Sequence, residues 1–156
     1  MRKQLLSLRI SRRAIGAAIS DSQGLNVTDG QHLRSNTQQA IKAAIAFVGR
    51  FLDESISAIA VDRPLHGASA VGDALMQHLT ILASQRRIVL LSIDKATILA
   101  AYGVLPLRTR AEVRALVIEY WPHMSKGGRS VTPHVLDAVA AGLHAECSLA
   151  LTPPKT

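Results

Sequence analysis

The spacing of apolar and polar residues changes period along the chain, and the changes mark its elements. Residues 4–10, "QLLSLRI", and 13–20, "RAIGAAIS", are apolar runs too short for helices. They predict two strands joined by a tight basic turn around Ser11 and Arg12. The second run is apolar on both faces, as a central strand is. "SDSQG" is a turn cluster, and residues 25–33 predict a third, weaker strand. The period then lengthens. "SNTQQAIKAAIAFVGRFLDE" predicts a helix opened by Ser35 and Gln38 at capping-box spacing, with Ile41, Ile45, Val48 and Leu52 on one apolar face. "ISAIAVD" is a short buried strand ending at Asp62, and "RPLHG" breaks the pattern.

Helical spacing resumes over 68–85, where Val71, Leu75, Leu79 and Leu82 recur on one side. "RIVLLSID" is the next strand, apolar throughout and ending at Asp94. Residues 95–103 predict a short helix, and the Thr109/Glu112 capping box starts another that runs to about Trp121. "PHMSKGGRS" reads as a flexible basic loop. The last helix opens with Thr132 as cap and Pro133 at its first position, followed by "HVLDAVAAGLHAECSLA". The expected organisation is one domain over 1–150 and a flexible tail over 151–156.

The order β-β-β-α-β-α-β-α-α-α predicts an α/β fold: a mixed five-stranded sheet, three antiparallel strands leading into parallel βαβαβ, with helices on both faces. Ligands of such sheets bind beyond the carboxyl ends of the parallel strands. Arg9, Asp62 and Asp94 all fall at carboxyl ends of predicted strands.

Composition narrows the partners. Apolar residues make up 48% of the 156 residues but aromatics only 3%. The core is therefore built from Leu, Ile, Val and Ala, which favours close approach of helix to sheet, and few rings are left for stacking unpaired bases. Eighteen Lys and Arg against 11 Asp and Glu give a formal charge of +7. That balance favours polyanions, with DNA or structured RNA first. The single cysteine, Cys147, allows no intramolecular disulfide and points to a reducing, cytoplasmic setting. No window is long and apolar enough for a membrane span, and the start has no signal-peptide core.

Three short stretches resemble known families. "LSLRIS" is similar to the L-G-I-D-P-G pattern that ends the first strand of RuvC-type Holliday-junction resolvases, with Arg9 in the aspartate's place. Asp62 in "IAVD" matches that family's next acid, and "HVLDAVAAGLHA" matches its C-terminal helix, with His134 and Asp137 at the acidic positions. "RRAIGAAISDSQGL" is similar to the K-R-I-G-V-A-V-S-D-x-x-G run of the YqgF family of resolvase and pre-16S ribosomal RNA nuclease relatives, in which Asp94 would be the middle acid. Both are branches of the ribonuclease H-like superfamily. The resemblance implies that fold, a phosphodiester-cleaving site on Mg²⁺ or Mn²⁺ held by Asp62 and Asp137, a homodimer, and catalytic roles for Asp62, Asp94, His134 and Asp137.

Arg9 departs from the pattern, and the departure is chemical. Two-metal hydrolysis needs carboxylates around two cations about 4 Å apart. A guanidinium neither ligates Mg²⁺ nor loses its charge near neutral pH. Attraction between unit charges at ~4 Å is about 4 kcal/mol at an effective dielectric near 20, so Arg9 competes with metal for the acids. The expected function is thus nucleic-acid binding with a degenerate metal-nuclease site, a pseudoenzyme. Backbone contacts are assigned to Arg9, Arg12, Arg13, Lys126 and Arg129. The alternatives are an active metal-dependent endonuclease and a scaffold that keeps the fold without nucleic acid. Asp94 has a second reading as the cap of the following helix. "KGGR" is not a P-loop, and His66, His78, His123 and Cys147 lack zinc-site spacing.

Overall fold

The structure, a computed structural model, describes residues 3–62, 69–102, 109–125 and 132–151. Its strands are β1 (Gln4–Ile10), β2 (Ala14–Asp21), β3 (Gly24–His32), β4 (Ile56–Asp62) and β5 (Val89–Ile93). Its α-helices are α1 (Thr37–Gly49), α2 (Ala70–Arg86), α3 (Lys95–Tyr102), α4 (Arg110–Tyr120) and α5 (Pro133–Leu151). The sheet runs β3-β2-β1-β4-β5, with β1, β2 and β3 antiparallel in succession and β1, β4 and β5 parallel. The mixed sheet expected from the order of elements is present.

Alternation along β1 divides the core in two. Leu6, Leu8 and Ile10 pack with α1 and α2 on one face, through Ala40, Ala44, Phe47, Val71, Leu75 and Leu79. Leu5 joins the other face, where Ala58 and Ala60 of β4 meet Val113, Val117, Val135 and Val139 of α4 and α5. Alanine makes the second face thin: Ala138, Ala141 and Ala145 of α5 are fully buried. Two glycines let the backbones approach. A Cβ on Gly16 of β2 would overlap the main chain of α5 at His134, and one on Gly142 of α5 would come within 2.7 Å of the Ser7 hydroxyl on β1.

Several local expectations shift. The cap of α1 is Asn36, whose side chain accepts from the Gln39 amide, and Ser35 lies outside the helix. The helix buries Ala40, Ala44, Phe47 and Val48, while Ile41, Ile45 and, beyond the helix end, Leu52 are only partly covered. In α2 the fourth buried position is Ala83 in place of Leu82. β5, apolar throughout in sequence, is the sheet's edge, with Val89 48% exposed. The segment after α4 begins as a 3-10 turn over Pro122–Ser125 that buries Met124. Lys126 and Arg129 in the rest of that loop lie outside the described residues, as do His66 and residues 152–156 of the expected tail. Leu151 is the last residue of α5. No helix among the described residues is long and apolar enough to cross a membrane.

Candidate functional site

Strand register brings the first two site residues together. Arg9 of β1 stands opposite Asp62 of β4 in the parallel ladder and Gly16 of β2 in the antiparallel one. Both side chains project toward α4 and α5, because Arg9 follows the parity of Leu5 and Asp62 that of Ala58 and Ala60. From above, α5 lowers Asp137 onto the same point. Its start is fixed as expected, with the Thr132 hydroxyl accepting from the Val135 amide.

The two carboxylates are deeply buried, Asp62 at 0% and Asp137 at 2% exposure. Unpaired, such groups would be very costly. Their partners come from α4. The Arg110 fork donates to both Asp62 oxygens, Nη1 at 2.7 Å and Nη2 at 3.0 Å. The Arg114 fork donates to both Asp137 oxygens, Nε at 2.8 Å and Nη2 at 2.9 Å. These are the bidentate pairs that guanidinium geometry favours. Thr109 caps α4 by accepting from the Glu112 amide, and spacing of four residues then sets Arg110 and Arg114 on one side beside buried Val113 and Val117.

Arg9 is the loosest member. Its Nη1 donates to its neighbour's carbonyl, Ile10 O, at 3.2 Å and lies 3.8 Å from Asp62 Oδ1. Its Nε is 3.5 Å from Asp137 Oδ2, yet is buried without a hydrogen bond. Burial lowers its pKa, the charge of Asp62 opposes this, and Arg110 adds to the lowering. Burial also acts on Arg110, but hydrogen bonding and charge from Asp62 outweigh it and hold the pKa above its ordinary value. Arg114 is raised chiefly by its hydrogen bonds to Asp137. Three guanidinium groups thus face two carboxylates.

His134, one turn before Asp137, lies at the edge of this cluster. Its Nε2 is 2.8 Å from the Ser11 hydroxyl in the β1–β2 turn. Burial lowers its pKa, and the nearby Arg9 charge lowers it further. Asp94 takes the capping alternative: its Oδ1 accepts from the Thr97 amide at 2.7 Å at the start of α3. Hydrogen bonds from Thr97 hold its carboxyl below the usual range, and among the described residues it shares none of the arginines that pair with Asp62 and Asp137. Arg12 and Arg13 are exposed at the β1–β2 turn.

The donor set does not fit the divalent cation that the resemblance implies. Mg²⁺ and Mn²⁺ take oxygen ligands. All four oxygens of Asp62 and Asp137 accept hydrogen bonds from arginine. No group of three His, Cys, Asp or Glu side chains among the described residues is placed to hold a metal.

Sequence reasoning singled out Arg9, Asp62, His134 and Asp137, and the structure brings those four to one place. It missed Arg110 and Arg114. Their spacing of four beside Val113 and Val117 was the available signal, because it puts two cations at the margin of a helix's buried stripe.

No family model matches the sequence, and no curated protein matches it. Solved structures do match the chain's shape. Thermus thermophilus RuvC in complex with Holliday junction substrate superimposes with a TM-score of 0.73 at 11% identity, over 96% of each chain. The chain has the RuvC fold. Another Thermus thermophilus RuvC structure gives a TM-score of 0.66 at 13% identity, over 95% of this chain and 96% of that one. A Fowlpox virus resolvase in complex with substrate Holliday junction DNA gives 0.60 at 10% identity, over 96% of this chain and 99% of that one. The similarity to RuvC and to the poxvirus resolvase spans nearly the whole molecule, so the ribonuclease H-like architecture is established while the chemistry of the site is the chain's own.

Proposed function

We propose that this protein binds nucleic acid, DNA or structured RNA, through a RuvC-like fold whose metal-nuclease site is degenerate, so that it cleaves weakly or not at all. One observation carries the reading: the two carboxylates beyond the carboxyl ends of the central strands are each held by an arginine fork, with a third arginine beside them on β1. Arg9, Arg110 and Arg114 supply the positive charge that cations would supply in a two-metal site. They do so without a Lewis acid that could polarise a phosphate or lower the pKa of a water. The formal charge of +7 supports a polyanionic partner. A homodimer in the cytoplasm belongs to the same reading.

The test is calorimetric titration of Mg²⁺ and Mn²⁺ into the wild type and into Arg9→Asp/Arg110→Gln/Arg114→Gln, alongside cleavage of a labelled four-way junction. The expected result is no metal binding and no cleavage by the wild type, with Mn²⁺ binding gained by the variant. A wild type that binds Mn²⁺ stoichiometrically and cuts the junction would establish the active-nuclease reading instead.

A further inference from the structure

Resting on the nucleic-acid reading for its polymeric ligand, a second feature extends it. On the sheet face opposite the arginine–aspartate cluster, a cleft of about 520 Å³ opens between the β1–β2 turn, the end of β3 and the start of α1. Its floor is apolar, from buried Leu33, Ala40 and Val71. Its rim carries Arg12, Arg13 and Arg34, with His32, and none of the described residues that line it is acidic.

Two observations make this more than scattered surface charge. First, the three arginines are exposed, and none pairs with a carboxylate among the described residues, whereas Arg9, Arg50, Arg110 and Arg114 each do. Three like charges gathered without a counter-charge repel one another, a cost that an anion relieves. Second, α1 points its amino end at the same space. Asn36 occupies the Gln39 amide, and the amides of Thr37 and Gln38 have no protein acceptor among the described residues. Free amides at a helix start, a favourable dipole and forked guanidinium donors suit a phosphate group.

We infer that this cleft is a phosphate-binding site, separate from the arginine–aspartate cluster, in which Arg12, Arg13, Arg34 and the first amides of α1 hold a backbone phosphate of bound nucleic acid. Ile10 packs on the cleft's face of the sheet and Arg9 on the other, so the β1–β2 turn stands between the two sites. A strand crossing that turn would reach both.

The experiment compares wild type, Arg12→Ala/Arg13→Ala/Arg34→Ala, and a charge-matched control, Lys3→Ala/Lys42→Ala/Arg86→Ala, whose positions are exposed and do not line the cleft. Binding to a labelled duplex and a labelled four-way junction is followed from low to moderate salt. Inorganic phosphate is titrated separately while the amide resonances of Thr37 and Gln38 are monitored. In the cleft variant, the slope of log affinity against log salt is expected to become shallower by about 1 to 2, with a smaller change in the control. Equal losses in cleft variant and control would overturn the site and leave nucleic-acid binding standing. If wild type ignores both oligonucleotides but phosphate shifts the two amides in an arginine-dependent way, the site stands for small phosphate compounds and the nucleic-acid reading fails. Silence toward oligonucleotides and phosphate alike removes both.

Discussion

An arginine's worth in this protein depends on how dry its partner is. Arg50 pairs with Asp29 at 3.2 Å, but Arg50 is exposed and Asp29 partly so, and such a pair contributes about 0–1 kcal/mol. Arg110 is the opposite case. Its partner Asp62 is fully buried, and without Arg110 the cation left near it among the described residues is Arg9, with Nη1 at 3.8 Å. Arg110→Ala is expected to destabilise the fold by about 3–5 kcal/mol, read from urea denaturation midpoints. Arg110→Lys keeps the charge without the fork and should recover only part of the loss. A change below 1 kcal/mol for Arg110→Ala would mean that Asp62 readily finds water or another donor. At this scale the sequence was half legible. Asp62 and Asp137 stand out as acids at a strand end and on a helix's apolar margin. Arg110 and Arg114 look like ordinary solvated helix cations until the sheet beneath them is known.

The elements were legible wherever the period was long or the boundary chemistry unambiguous. Thr109 and Thr132 cap their helices as their surroundings imply. The start of α1 was ambiguous because Ser35 and Asn36 are both good caps, and the hydrogen bond to Gln39 decides for the second. The buried face was misplaced for a separate reason: apolar spacing favours the large Ile41 and Ile45, whereas close packing on the sheet takes the small Ala40 and Ala44 inside beside Phe47 and Val48. β5 misleads for a different reason, since an apolar run cannot disclose that it pairs on only one side. β2 and α5 come close together where Gly16 faces the main chain of His134 and Val135. Backbone cannot move aside as a flexible side chain can. Gly16→Ala should therefore lower stability by about 1–3 kcal/mol, the usual range for overpacking. It should also displace Asp137 from Arg114, and a shifted Arg114 Nε resonance would report that. Unchanged stability would mean that α5 can lift off β2 at little cost.

At the scale of the whole molecule, the cluster ties folding to pH through His134. Its folded pKa lies below the ordinary 6.5, because burial and Arg9 both disfavour the imidazolium. Above about pH 6.5 the ring is neutral folded and unfolded, and contributes nothing to pH dependence. As pH falls through 6.5 the unfolded chain takes up a proton that the folded chain resists, so stability is lost on the acid side. Relative to His134→Gln, wild type is expected to lose stability more steeply as the pH falls below about 6.5. Parallel pH profiles for the two would contradict the depressed value. Topology was the most legible property at this scale. The order of elements and three short motifs led to a fold that RuvC shares at only 11% identity. The electrostatic identity of the site was less so, because it depends on two arginines of α4 that lie in none of the three family-like stretches.

The arginine forks also bear on how this chain can change over generations. Asp62 and Asp137 are each tied to a residue on the same helix, and Arg9 touches both. Losing an acid leaves a part-buried cation unpaired, and losing a fork strands a buried anion, so a first step at Asp62, Arg110, Arg114 or Asp137 is expected to cost stability before a new activity can appear. Positions 62, 110, 114 and 137 are therefore expected to pass on as a block, with position 9 freer to vary. Among descendants of this sequence they should be kept together or replaced together, leaving the intermediate combinations empty.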